Sequence, residues 1–144
     1  MAEIPDPPKR LSSDTVALRP ISDWDIPEIL IAHQDDRTLA QALGMKRAPS
    51  SAQLGQEVED SAAAWAAGTL KLTLVTPGSD DCRGRLVIDE LDVPAGTARA
   101  TVWVAAELRG RGLARAALAL AGDWLAGACG IHQLQCGEDR PSGG

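Results

Sequence analysis

The stretch Arg109-Gly110-Arg111-Gly112-Leu113-Ala114 holds the residues best suited to chemistry. It joins a strand-like run ending at Val104 to an alanine-rich helical run. A helix N-terminus presents backbone N–H groups without intrahelical partners, and a partial positive charge. Glycines let a backbone approach an anion closely. Arg109, Arg111 and Arg115 surround this corner, and residues 98–119 hold Arg99 as well but one acid, Glu107. The whole chain has a net charge of −6, so the local cationic cluster stands out. Its chemistry is that of a site for a compact polyanion such as a pyrophosphate.

Two common phosphate motifs do not fit. A P-loop needs a GxxxxGK sequence followed by Ser or Thr, and none is present. A dinucleotide fingerprint starting at Gly110 would need its third glycine where Arg115 stands, and the acidic residue about 20 positions on is missing. What remains is Arg-x-x-Gly-x-Ala, formed by Arg109, Gly112 and Ala114.

The elements that must position this loop follow from periodicity. Val16–Pro20 is a short strand signal stopped by proline. Ser22, with Asp25 three residues on, opens a helix in which Ile26, Ile29, Leu30 and His33 share a face. A second helical region covers residues 38–43. In a third, after Ser50 and Ser51, Leu54, Val58, Ala62 and Trp65 fall on one stripe and Gly68 ends the run. Residues 70–75, 85–91 and 99–104 alternate as strands with short turns between them, an antiparallel meander. Residues 112–126 read as a helix lined by Leu113, Ala117, Leu120, Ala121 and Trp124, with Gly127 and Gly130 ending it. Residues 131–135 are a last strand, so strand, helix and strand form a βαβ unit with parallel strands.

Composition bounds the rest. At 144 residues, 44% hydrophobic and 24% charged, the chain is one globular domain. Residues 1–13 read as a flexible leader and 137–144 as a disordered tail, leaving 14–136 as the domain. No apolar run approaches about 18 residues, which excludes a spanning helix. The acidic balance argues against nucleic acid as a partner. There is no Phe or Tyr, so the core rests on aliphatic residues and the four Trp. Cys82, Cys129 and Cys136 have no metal-ligand spacing and read as reduced structural thiols of a cytoplasmic protein, with no metal expected.

The Arg-x-x-Gly-x-Ala loop resembles the pyrophosphate loop of the GNAT (GCN5-related) N-acetyltransferases, which reads Gln/Arg-x-x-Gly-x-Gly/Ala. The opening strand from Leu11 to Ser22, Trp65-Ala66-Ala67-Gly68 before a strand, Val102-Trp103-Val104, Asp123-Trp124-Leu125 and Gly130-Ile131-His132-Gln133-Leu134 resemble its ribosomal-protein Nα-acetyltransferase branch. The resemblance covers residues 11–136 in order.

It implies an α+β fold, with a mixed, mainly antiparallel sheet splayed in the middle and flanked by helices. Acetyl-CoA, as cosubstrate, would lie in the splay. Arg109, Gly110, Arg111, Gly112, Leu113 and Ala114 would hold its pyrophosphate, and the strand backbone at Trp103 and Val104 its pantetheine. A backbone N–H near Val104 would stabilise the oxyanion as an amine attacks the thioester. The acceptor would be a peptide or protein α-amine, with a small amine as the fallback. Asp89, Glu90 and Asp92 are the nearest carboxylates, and Glu90 is the expected base. His132 reads as a strand histidine, with a proton shuttle as the other role. Family members add a further helix and a closing β-hairpin. This sequence ends at Gly144, so the alternative is a catalytically inactive acyl-CoA-binding module or a truncated fragment of the family. Residues 131–135 would then be an exposed edge open to a second copy, giving a homodimer.

Overall fold

Strand alternation sets the architecture. The computed structural model describes residues 9–42, 46–105 and 108–136. Its six strands are β1 (Leu11–Ser12), β2 (Ala17–Pro20), β3 (Leu70–Val75), β4 (Gly84–Asp92), β5 (Thr97–Val104) and β6 (Gln133–Cys136). They form one sheet in chain order. Every neighbouring pair is antiparallel except β5 and β6, which are parallel. The helices are α1 (Ile26–Asp35), α2 (Leu39–Ala42), α3 (Ser51–Glu59), α4 (Ser61–Ala66) and α5 (Leu113–Cys129). The meander, the βαβ unit and the mixed sheet follow the expected order.

The period of two divides the core between the two sheet faces. Leu70, Leu72 and Leu74 of β3, Leu86 and Ile88 of β4, and Ala98, Ala100 and Val104 of β5 pack with Trp65 and the buried stripe of α5. Trp65 and Trp124 meet across this layer with ring centroids 5.7 Å apart. On the opposite face, Trp103 joins Ile21, Ile29, Leu39, Leu54 and Cys82.

A buried ion pair ties the entry of α1 to the sheet. A 3-10 turn at Asp23–Asp25 precedes α1. The Asp25 carboxylate accepts from Arg19 Nη1 at 2.9 Å and Nη2 at 2.7 Å, from Thr73 Oγ1 at 2.5 Å and from the Ser22 N–H at 2.9 Å. The expected Ser22/Asp25 signature is therefore a carboxylate locking β2 and β3 to the helix start. Its polar partners allow it to sit buried.

Three expectations are corrected. The stripe Leu54, Val58, Ala62, Trp65 is two helices, because the chain breaks at Asp60 (φ −88°, ψ 1°). Ala62 is exposed, and the break turns Trp65 into the core. The last helix runs through Gly127 and ends only at Gly130, whose φ of 70° suits a glycine cap. Leu11 and Ser12, placed in the leader by the sequence reading, pair with Leu18 and Ala17. Residues 1–8 and 137–144, and Glu107, lie outside the described residues.

Candidate functional site

The parallel pairing decides where the sheet opens. β6 follows β5 only from Thr97↔Gln133 to Ala100↔Cys136. Beyond Ala100, no strand among the described residues covers β5 on that side. β4 stays paired on the other side as far as Gly84↔Val104. A one-sided edge thus runs along residues 101–104 toward the α5 entry.

Alternation says which backbone groups this edge offers. The Ala105 N–H donates to the Arg83 carbonyl at 2.8 Å, which marks that pair as hydrogen-bonded. Two residues earlier, Arg85↔Trp103 is bonded by the same rule. The main chains of Val102 and Val104 then face the open edge, and that of Trp103 faces β4. The expectation that Trp103 offers its backbone is corrected on this ground, and Val102 takes its place. Gly84 lets the strands close here, since a Cβ on it would collide with the Trp103 carbonyl oxygen.

At the end of the edge stands the glycine loop. Gly110 and Gly112 have φ of 84° and 75°, the left-handed region that favours glycine. Gly112 is the N-cap of α5 and offers no side chain to its amides. The first backbone bond of the helix runs from Ala116 N–H to the Gly112 carbonyl at 3.0 Å. The N–H groups of Leu113, Ala114 and Arg115 are therefore outside the helical ladder. A Cβ on Gly112 would meet nothing within 4 Å, so the space over the helix end is open. Leu113 and Ala114 bury their side chains and anchor the loop, while Gly110, Arg111 and Arg115 are exposed.

Arg109 points back from this loop. Its Nε donates to the Val104 carbonyl at 3.0 Å, and its Nη2 to Asp36 at 3.1 Å. Its guanidinium thus bridges the β5 end, the glycine loop and the C-terminus of α1. Asp36 carried no motif in the sequence. Its carboxyl is held below the usual carboxylate range, first by a hydrogen bond from Thr38 and then by Arg109, against the opposing effect of burial. A cavity of about 60 Å³ lies beside this pair, lined by Asp36, Leu39, Cys82, Trp103, Ala105 and Arg109 among others.

Glu90 lies at the other end of β5. It sits in the irregularity of the β4–β5 ladder between Asp89 and Asp92, with φ of 50°. Its carboxylate is largely exposed and meets Arg99 Nε at 3.1 Å. Asp89 takes Arg99 with both oxygens, at 2.9 Å each. The structure therefore separates Glu90 from the loop by most of the strand, about 17 Å between the levels of Arg99 and Val104. It brings Glu90 near the point where β5 and β6 part. His132 is exposed, and its N–H donates to the Gly96 carbonyl at 2.8 Å. His33 is buried on α1, and its pKa is lowered by burial first and by Arg85 second.

No protein-family model matches the sequence, and no curated protein matches it. Shape is more informative. RimJ of Mycobacterium smegmatis, solved in complex with CoA-disulfide, superposes with a TM-score of 0.77 at 22% identity, over 93% of this chain and 69% of that one. A GCN5-related N-acetyltransferase from Brucella melitensis gives 0.69 at 15%, over 93% and 62%. The Salmonella typhimurium acetyltransferase that modifies the N-terminal serine of ribosomal protein L7/L12 gives 0.68 at 15%, over 81% and 67%. The one-sided β5 edge, the glycine loop and the α5 entry are thus set in the mixed, mainly antiparallel fold of the GNAT N-acetyltransferases.

Proposed function

We propose that this protein is an acetyl-CoA-dependent N-acetyltransferase whose acceptor is the α-amine of a peptide or protein. The observation that carries the reading is the continuity of the open β5 edge with the uncapped start of α5. An extended amide-containing arm can pair with Val102 and Val104, and a diphosphate can accept from the N–H groups of Leu113, Ala114 and Arg115. The residues fit the ligand, because Gly112 leaves the helix end open and Arg111 and Arg115 add positive charge beside it. Acetyl-CoA would supply the activated acyl group as a thioester.

The chain's own groups then have distinct tasks. Glu90 takes the proton of the acceptor ammonium. It suits this better than Asp89, whose two oxygens are both engaged by Arg99. The freed amine attacks the thioester carbonyl. The C–N bond forms, the nitrogen gives up its second proton to solvent, the C–S bond breaks, and the leaving thiolate is protonated from solvent. The Val102 N–H, nearer the parting of β5 and β6, is the donor aimed at the developing oxyanion, with Val104 N–H next along the edge.

Isothermal titration with acetyl-CoA tests the binding half. Affinity should fall about tenfold on Arg109→Ala and weaken with added salt. No heat of binding at millimolar ligand would overturn the reading. For the reaction half, thiol release should require a peptide with a free N-terminus. Equal turnover of blocked and free peptides would exclude the α-amine, and binding without any thiol release would leave an acyl-CoA-binding module.

A further inference from the structure

On the sheet face that carries α1 and α3, a cleft of about 260 Å³ opens over β3, β4 and β5. Lys71, Arg85, Asp89, Arg99, Thr101 and Trp103 line it, together with Glu57. Its charge is divided along the strands. At one end a single carboxylate, Glu57, takes Lys71 Nζ at 2.8 Å and Arg85 Nη2 at 3.0 Å. Two cations on one anion leave a positive excess there. At the other end Asp89 and Glu90 converge on Arg99, which leaves a negative excess. The four residue steps from Arg85 to Asp89 separate the ends by about 13 Å.

The cationic end also holds donors with nothing to bind. Arg85 Nε and Trp103 Nε1 are buried and have no hydrogen-bond partner among the described residues. Arg85 is 6% exposed and Trp103 8%. The two residues are directly opposed in the β4–β5 register, so their side chains lie side by side on the same sheet face. A buried N–H without a partner is costly, and native proteins rarely leave one. Two adjacent ones, both lining the same cleft, call for an acceptor oxygen that the described residues do not supply.

We infer that Arg85 and Trp103 receive a carboxylate of the acceptor peptide, so that this chain selects peptides with Asp or Glu close behind the reactive amine. The inference rests on the acetyltransferase reading, which puts the amine at the Glu90 end, beside the parting of β5 and β6. A carboxylate is favoured over a neutral carbonyl because the excess positive charge strengthens a bond to an anion. An extended chain advances about 3.4 Å per residue. A span of about 13 Å therefore puts the acid on the third or fourth residue. Val87 and Thr101 lie between the two ends and suit neutral side chains at the intervening positions.

The indole N–H of Trp103 is the direct reporter. The chain has four Trp, and the Trp103 signal in a nitrogen-15 spectrum of the full chain is assigned by its loss in Trp103→Phe. Two amidated hexapeptides with free N-termini are titrated, identical except for Glu or Gln at the third position. The Glu peptide should move the Trp103 indole proton downfield saturably and bind at least fivefold tighter than the Gln peptide. Arg85→Lys keeps the charge but lacks the Nε–H, and should narrow that preference to under twofold. Equal affinity of the two peptides, an unmoved Trp103 signal, or no binding of either would overturn the inference. Acetyl-CoA titrated in the same spectra reads the amides of Gly110, Gly112 and Leu113. If these respond and Trp103 stays silent to peptide, only the acceptor inference falls. If Trp103 responds and these do not, the anion site stands and the acetyltransferase reading falls.

Discussion

Arg109 donates through Nη2 to Asp36 Oδ2 at 3.1 Å, joining residues 73 positions apart in the chain. The contact makes the glycine loop answerable to α1, because the same guanidinium also holds the Val104 carbonyl. A bound diphosphate would compete with Asp36 for it. Asp36→Asn should therefore tighten acetyl-CoA by about two- to fivefold, the scale of a partly exposed ion pair. Arg109→Ala should weaken it. Titration calorimetry on the two variants checks both signs, and weaker binding by Asp36→Asn would mean that Asp36 positions Arg109 rather than competing for it.

Gly112 and Gly127 separate conformation from space. A Cβ at either position meets nothing within 4 Å, but only Gly112 has a positive φ, of 75°. Gly112→Ala should cost about 1–2 kcal/mol from the left-handed backbone alone. It should also weaken acetyl-CoA at least tenfold, because the added methyl group stands over the open helix end. Gly127→Ala, inside α5, should stabilise by about 0.5–1 kcal/mol and leave binding unchanged. Urea denaturation and calorimetry on the pair test this contrast.

The local order of the fold was legible because strand alternation and glycine stops are written in adjacent residues. Residues 70–75 are the clearest case, alternating in sequence and forming β3 with the same bounds. The glycine loop at the start of α5 was legible for a similar reason, since Arg109, Gly112 and Ala114 lie within six positions. What stayed hidden depends on register. Nothing local shows that Trp103 turns its main chain toward β4 or that Arg85 stands beside it. The Glu57 carboxylate between Lys71 and Arg85, and Asp36 on Arg109, are pairings of distant residues. One signal was available: Arg85 and Asp89 alternate with Leu86 and Ile88, which put charges on a strand face that the helices cover.

Glu90→Gln should lower kcat by about 10²–10⁴-fold if Glu90 takes the ammonium proton, with KM for acetyl-CoA nearly unchanged. Asp89→Asn should instead act by loosening Arg99, which it holds through two hydrogen bonds. Its loss should be smaller. A Glu90→Gln enzyme with wild-type kcat would remove Glu90 from the chemistry.

Asp25 tests how the first helix is held. Its carboxylate is buried, and Arg19, Thr73 and the Ser22 N–H all bind it. The hydrogen bond to Asp25 is the largest cause that raises the Arg19 pKa, and Asp80 adds to it against the opposing effect of burial. Asp25→Ala leaves the Arg19 charge partly buried without its main partner. The expected cost is about 3–5 kcal/mol, which corresponds to a fall in Tm of roughly 10–17 °C for a chain this size. Replacing the exposed Asp80, which also contacts Arg19, should cost far less. Thermal melts of the two variants distinguish a buried lock from a surface pair.

Cys82 gives the alkaline side of the stability curve. It is buried between α1 and the sheet, and burial, with a further contribution from Asp25, pushes its pKa up from 9.0 to about 11. The folded state therefore keeps its thiol proton where the unfolded chain has lost it. A raised folded pKa leaves stability intact below pH 9 and removes it as pH rises from 9 through about 11. The full loss amounts to roughly 2–3 kcal/mol, as two units of pKa imply. Cys82→Ala should start from a lower plateau, because it leaves a cavity, but should lack this component of the alkaline decline. At pH 8 the raised pKa keeps the native thiol protonated, so a thiolate-selective reagent should modify Cys82 only through opening of the fold. Fast labelling of Cys82 in the native protein would show that this corner opens far more often than its packing implies.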